Sequence, residues 1–185
     1  MNIDYNLILD ILLKNIIPLT KKNIKKGNKI FGAAILKKKD LSIITIGENN
    51  EITNPILHGE ISAINNFFEQ NMNIDTNDCI FLSTHEPCSL CLSAITWSGF
   101  RNFYYFFPYY ETKEKFNIPH DLNILQEIFN IRDGNYNKSN HYWHSFSILE
   151  EIQKLPKEIQ NDLNEKIVQI STEYTNLSKE YQLCK

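Results

Sequence analysis

The stretch "PCSLC" (Pro87–Cys91) places two cysteines three positions apart, and "HGE" (His58–Glu60) places a histidine and a glutamate two apart. Helix positions three apart share a face, so Cys88 and Cys91 can present both thiols to one ion. Proline favours the first helical position. The spacing therefore predicts a helix opening at Pro87, with both thiols in its first turn and a half. There the positive end of the helix dipole favours thiolates. A catalytic zinc site takes three protein ligands and keeps a fourth position for water. His58 is the best third ligand, because it too falls in the first turn of a predicted helix. Two neighbouring parallel helices can aim their N-termini at one ion. The carboxylate of Glu60, beside metal-activated water, can take a proton from that water and deliver it to a substrate nitrogen.

Each half of this constellation is unspecific alone. "HGE" fits a surface helix, and a lone C-x-x-C serves structural zinc or redox pairs equally well. A thioredoxin-like pair calls for an early βαβ pattern, which this chain lacks. A non-catalytic zinc module would close with four ligands and needs no carboxylate; three clear ligands are present. The other reactive side chains read as structural. Cys79 opens a buried strand, Cys184 is terminal, and His120, His141 and His144 lie away from the motif. His85 either touches substrate or, the preferred reading, is a packed or hydrogen-bonded histidine at a strand end. Tyr142 and Trp143 either cap a pocket or pack in the core.

These residues need a scaffold. The order of patterns is a helix over residues 3–17 continuing into the early twenties, with Pro18 as a kink point, and then a hairpin of "IFGAAIL" (30–36) and "LSIITIG" (41–47). A helix follows over 54–70, with Asn54 as N-cap and Pro55 in the first turn. A strand over 79–84, the helix over 87–99, a strand over 102–107 and a helix over 119–130 come next. In the last of these, Leu122, Leu125, Ile128 and Phe129 are expected to face inward. The run "FYYFFPYY" (103–110) reads as strand core and edge rather than a stacking platform for nucleic acid. Residues 130–146 read as a polar connection bearing aromatics. Helix–strand alternation predicts an α/β sandwich with helices on both faces, its later strands parallel. A last helix over about 157–183 carries Leu163, Ile167, Ile170, Tyr174, Leu177 and Tyr181 as a heptad-like stripe. That stripe must dock on its own domain or on a partner subunit. The expected division is a catalytic domain over 1–131 and a C-terminal extension over 132–185.

The 185 residues are 42% hydrophobic and 12% aromatic, which suits one domain with a real core. The net charge is −3 and the pI near 6.0, which does not advertise a polyanion partner. The lysines between Lys21 and Lys29 read as the solvated end of a helix. The N-terminal pattern is not that of a signal peptide, and no apolar run approaches the ~18 residues of a membrane span. A cytoplasmic setting is therefore expected, where thiols stay reduced.

H-x-E followed by P-C-x-x-C is the signature of zinc-dependent nucleobase deaminases, and the resemblance extends beyond it. "FGAAIL" (31–36) resembles the strand that carries Phe-Gly-Ala near the base in the cytidine deaminase superfamily. "GENNEITNPILHGEISAI" (47–64) resembles the segment with an Asn shortly before N-P-x-x-H-x-E. "STHEPCSLCLSAITWSGF" (83–100) resembles the matching segment of guanine and tRNA adenosine deaminases. The resemblance covers roughly residues 28–107. It implies a three-layer α/β/α sandwich with a five-stranded mixed sheet, and often a homodimer. It assigns one zinc per chain to His58, Cys88 and Cys91, the proton shuttle to Glu60, and substrate contacts to Asn49, Phe31 and Ala33, with Asn50 an alternative to Asn49. Gly59 stands where Ala is usual, Ile56 and Leu57 replace smaller or polar residues, and His85 stands where Cys, Leu or Ser is more familiar.

The implied activity is hydrolytic deamination of a free nucleobase or nucleoside, a purine such as guanine foremost. Deamination of adenosine in tRNA, or of cytidine and deoxycytidylate, are the alternatives. Net charge, and an aromatic-bearing connection (130–146) whose only cations are Arg132 and Lys138, favour a small molecule over nucleic acid.

Overall fold

The computed structural model describes residues 3–70 and 73–183; Cys184 lies outside them. An N-terminal helix, α1 (Tyr5–Ile11), continues through a π-helical turn (Leu12–Ile16) into α2 (Ile17–Ile24). Pro18 has no N–H to offer the preceding turn. The ladder widens just before it, the Ile17 N–H reaching back to the Leu12 carbonyl. The helix thus passes the proline through a widened turn.

A hairpin, β1 (Gly32–Lys37) and β2 (Ile43–Glu48), leads to α3 (Gly59–Glu69), β3 (Cys79–His85), α4 (Ser89–Trp97) and β4 (Asn102–Phe107). Then come α5 (Tyr109–Phe116), α6 (His120–Phe129), β5 (His144–Ser147), α7 (Ile148–Gln153) and α8 (Lys157–Leu183). The five strands form one sheet in the order β2-β1-β3-β4-β5. β1 is antiparallel to β2 and β3, while β3, β4 and β5 are parallel, as connections through helices require.

β3 and β4 are buried along their whole length, because helices cover both faces of the sheet. Alternation along β3 divides the core. Ile80 and Leu82 pack with α1, α2 and α8, while Cys79 and Phe81 pack with α3 and α4. The stripe of α8 belongs to the first core: Leu163, Ile170, Tyr174, Leu177 and Tyr181 are buried there and Ile167 packs against it. The long helix therefore docks on its own chain, with Glu173 paired to Lys21 at 2.7 Å and Lys166 to Asp10 at 2.5 Å.

Several elements differ from the sequence expectation. The helix expected from residue 54 starts at Gly59, because Asn50 and Asn54 build turns: the Asn54 Oδ1 accepts the Ile56 N–H and the Asn50 carbonyl accepts from Thr53 and Asn54. Pro108 ends β4 and opens α5, which the aromatic run concealed. The "polar connection" contains β5, the parallel edge strand beside β4. In α6 only Leu125 is buried; Ile128 and Phe129 are exposed. Both β5 and α8 lie beyond residue 131, and both are built into the same sandwich.

Candidate metal centre and active site

Two helix N-termini meet at the carboxyl end of β3. His58 is the N-cap of α3 and Cys88 the N-cap of α4, each in extended backbone conformation, with Cys91 in the first turn of α4. Each helix thus starts slightly later than its motif predicts, and the first ligand on each sits at the cap. α3 is held against β2 by backbone contact. A Cβ on Gly47 would fall 2.1 Å from both the Gly59 carbonyl and the Ala63 nitrogen. Hydrogen bonds from Asn66 Nδ2 to the Ile46 carbonyl (2.9 Å) and from Thr45 Oγ1 to the Ala63 carbonyl (3.2 Å) add to the clamp.

The three side chains converge. His58 Nδ1 lies 3.4 Å from Cys88 Sγ and 3.6 Å from Cys91 Sγ, and the two sulfurs are 3.6 Å apart. A tetrahedral zinc with Zn–S of about 2.3 Å and Zn–N of about 2.0 Å needs edges of about 3.8 Å (S···S) and about 3.5 Å (S···N). The donor set and spacing fit zinc. Among the described residues this trio is the group of His, Cys and acidic side chains compact enough to hold an ion.

Metal-free, the trio stores protons unevenly. The Cys91 hydrogen bond and the neighbouring His58 bring Cys88 down to about 4. The Cys88 partner lifts His58 to about 9, and burial drives Cys91 up. The result is a thiolate–imidazolium pair beside a thiol. Glu60 is buried against them. Its Oε1 accepts the Ser83 hydroxyl at 2.6 Å, and its Oε2 lies 3.3 Å from Cys91 Sγ. Burial raises its pKa, Cys88 adds to the rise, and the Ser83 bond opposes it.

A small cavity bounded by Phe31, Glu60, His85, Glu86 and Asp121 adjoins the trio. Phe31, His58, Cys88 and Asp121 also line a cleft of about 380 Å³, whose remaining wall includes Leu90, Ile118 and Ile124. That size suits a small ligand. A larger hollow of about 600 Å³ beside Lys37–Lys39 has none of this chemistry.

Phe31 thus lies at the cleft. Asn49 is buried and lines neither hollow; its Nδ2 is unpaired, while its Oδ1 accepts the Glu51 N–H. Asn50, its rival, spends Oδ1 on the Thr53 hydroxyl. Ala33 is fully buried in β1, in register with Ser83, and lines neither hollow. Trp143 packs on Phe103 and donates to Thr96 Oγ1 at 2.8 Å, so it belongs to the core.

Three contributors escaped sequence reading. Ser83 carries no motif of its own; only its place two residues along the strand from Phe81 marks it as facing α3. Glu86 is buried, accepting from the Tyr109 N–H (3.0 Å) and the Tyr136 hydroxyl (2.8 Å) and pairing with Lys138 (3.1 Å). It anchors the turn into Cys88. Asp121 opens α6 at the cleft; burial, then Cys88 and Glu60, push it up to about 7.

The family model described as "Cytidine and deoxycytidylate deaminase zinc-binding region" matches residues 10–107. The chain belongs to this family. A guanine deaminase of Bacillus subtilis is 36% identical over 89 residues, covering 46% of this chain and 56% of the relative. A cytosine deaminase of Candida albicans is 34% identical over 83 residues, covering 44% and 54%. The chain thus spans about half the length of the curated relatives it matches. A solved Bacillus subtilis guanine deaminase structure superposes with a TM-score of 0.54 at 27% identity, covering 71% of this chain and 85% of that one. The open five-stranded sheet with its C-terminal helix is accordingly a deaminase-family fold, and zinc is the metal this family binds.

Proposed function

We propose that the chain is a hydrolytic deaminase of a free nucleobase, guanine foremost, with zinc held by His58, Cys88 and Cys91. The observation that carries this reading is the position of Glu60: its carboxylate sits 3.3 Å from Cys91 Sγ, beside a trio spaced for tetrahedral zinc. A structural site would have no use for that group. Bound there, zinc supplies the Lewis acidity that makes water nucleophilic at neutral pH.

The chain's own residues do the rest. Glu60, steadied by Ser83, accepts one proton of the attacking water and passes it to the ring nitrogen beside the amine-bearing carbon. It then takes the second proton from the hydroxyl now on that carbon and delivers it to the amine, which leaves as ammonia while the carbonyl forms. Water and the amino base go in; the oxo base and ammonia come out. Phe31 offers an apolar wall to a flat ring, and the unpaired Asn49 Nδ2 supplies a donor to its edge. Asp121 supplies a second carboxylate near the leaving group.

A small substrate fits better than tRNA. The cleft walls are largely apolar, Lys21 and Lys29 are paired to Glu173 and Glu51, and the net charge is −3. The guanine deaminase relative points the same way. Ammonia release from free guanine, adenine, cytosine and their nucleosides, set beside inosine formation in tRNA, tests the reading. Inosine without turnover of any free base or nucleoside would reverse it.

The chain is proposed to work as a cytoplasmic homodimer. With α8 folded onto its own core, exposed apolar side chains elsewhere are left for a partner, those on α4 and α6 among them. Trp97 is 88% exposed, Ile128 71% and Phe129 53%. Among the described residues no helix is long and apolar enough to cross a membrane.

A further inference from the structure

His85 ends β3 inside an aromatic cage. Its ring meets Phe31 edge-on at 4.7 Å, Phe116 at 5.4 Å and Tyr174 at 5.2 Å, and tilts over Phe107 at 5.0 Å. It is 2% exposed, and burial brings its pKa down to about 3, so the ring is neutral. A neutral imidazole has one N–H and one bare nitrogen. Nδ1 lies 2.9 Å from Thr84 Oγ1. That oxygen already accepts the Gly32 N–H at 3.1 Å, which leaves its own proton free to turn toward Nδ1. With the Thr84 proton donated to Nδ1, the ring proton resides on Nε2.

Nε2 is buried and makes no hydrogen bond. Leaving a buried ring nitrogen unpaired carries a cost. A phenylalanine or leucine in this cage would avoid the cost, so packing alone does not account for a histidine. His85 lines the cavity it shares with Phe31, Glu60 and Asp121.

We propose that His85 Nε2–H is a specificity contact: it donates to an acceptor on the edge of the base, the oxo group of an oxo-purine. The inference rests on the deaminase reading above and deepens it. A donor at this place favours a 6-oxo purine and disfavours a 6-amino one, which would present its own donor. The role is recognition; His85 moves no proton in the reaction.

The experiment pairs a residue change with a substrate change. Guanine and 2-aminopurine carry the same reacting amine, and only guanine carries the oxo group. Wild type is expected to prefer guanine by at least about tenfold in kcat/KM, the scale of one hydrogen bond to a buried donor. His85→Phe should lose that preference while keeping its rate on 2-aminopurine within about twofold, and His85→Gln should recover part of it. Zinc content and thermal melting of each variant check the fold. If His85→Phe does not fold, inhibition of wild type decides. Hypoxanthine should then bind at least about tenfold tighter than purine, and equal inhibition overturns the proposal. Equal losses on both substrates in His85→Phe, or an unchanged preference, overturn the proposal and leave the deaminase reading standing. Absence of turnover of any base by zinc-loaded wild type overturns both.

Discussion

The Ser83 hydroxyl donates to Glu60 Oε1 across 2.6 Å, deep between β3 and α3. One carboxylate oxygen is thereby fixed, and the other is left beside the metal ligands. Removing the donor in Ser83→Ala should lower kcat by about tenfold, the worth of one buried hydrogen bond to a charged group. The bond holds Glu60 below where burial would otherwise place it, so its loss raises the pKa further. A base must be ionised to act, so the defect should be larger at pH 6 than at pH 8. Ser83→Thr should restore part of the rate. A rate profile unchanged by Ser83→Ala would remove Ser83 from the site.

Zinc binding should release protons. His58, raised to about 9, must give up its proton, and Cys91, raised by burial, must ionise; Cys88, lowered to about 4, is already a thiolate. Two protons leave per ion at neutral pH, so affinity should climb as much as about a hundredfold per pH unit, with a shallower slope above about pH 9. Competition with a chelator at pH 6.5 and 7.5 measures this, and pH-independent affinity would contradict it. Cys88→Ser and Cys91→Ser should each lose most metal by elemental analysis.

Gly47→Ala tests the clamp between β2 and α3. The added carbon would meet backbone atoms at 2.1 Å, which no rotamer change relieves. The substitution should cost at least about 1–3 kcal/mol, seen as a lower Tm, and should weaken zinc retention because His58 starts α3. A variant with wild-type Tm and zinc content would show that the contact opens freely.

Asn49→Ala should raise KM while leaving zinc content intact, since Nδ2 is unpaired in the protein and Oδ1 serves only the local turn. Wild-type kinetics in this variant would transfer the contact to another group.

Much of this site was legible in the sequence because its chemistry depends on short spacings. Cys88 and Cys91 had to share a helix face, and His58 and Glu60 had to open another helix. The error lay in the caps: turn chemistry from Asn50 and Asn54 delays α3, so His58 serves as a cap. The parts that stayed hidden arrive from far along the chain. Ser83 gains meaning only when β3 lies beneath α3, Asp121 only when α6 begins over Cys88, and Glu86 only when Tyr136 and Lys138 return to it. β5 was missed because four residues with half-buried faces give little alternation to read. The exposure of Ile128 and Phe129 breaks the rule that an apolar helical face is an intramolecular one.

The central claim is that Glu60, beside zinc on His58, Cys88 and Cys91, moves the protons of a deamination. It is tested most directly by ammonia release from guanine, measured side by side for zinc-loaded wild type and zinc-loaded Glu60→Gln. The account predicts one ammonia per guanine consumed by wild type, and a loss of at least ~10²-fold in Glu60→Gln at full zinc content. Near-normal ammonia release by zinc-loaded Glu60→Gln would contradict it.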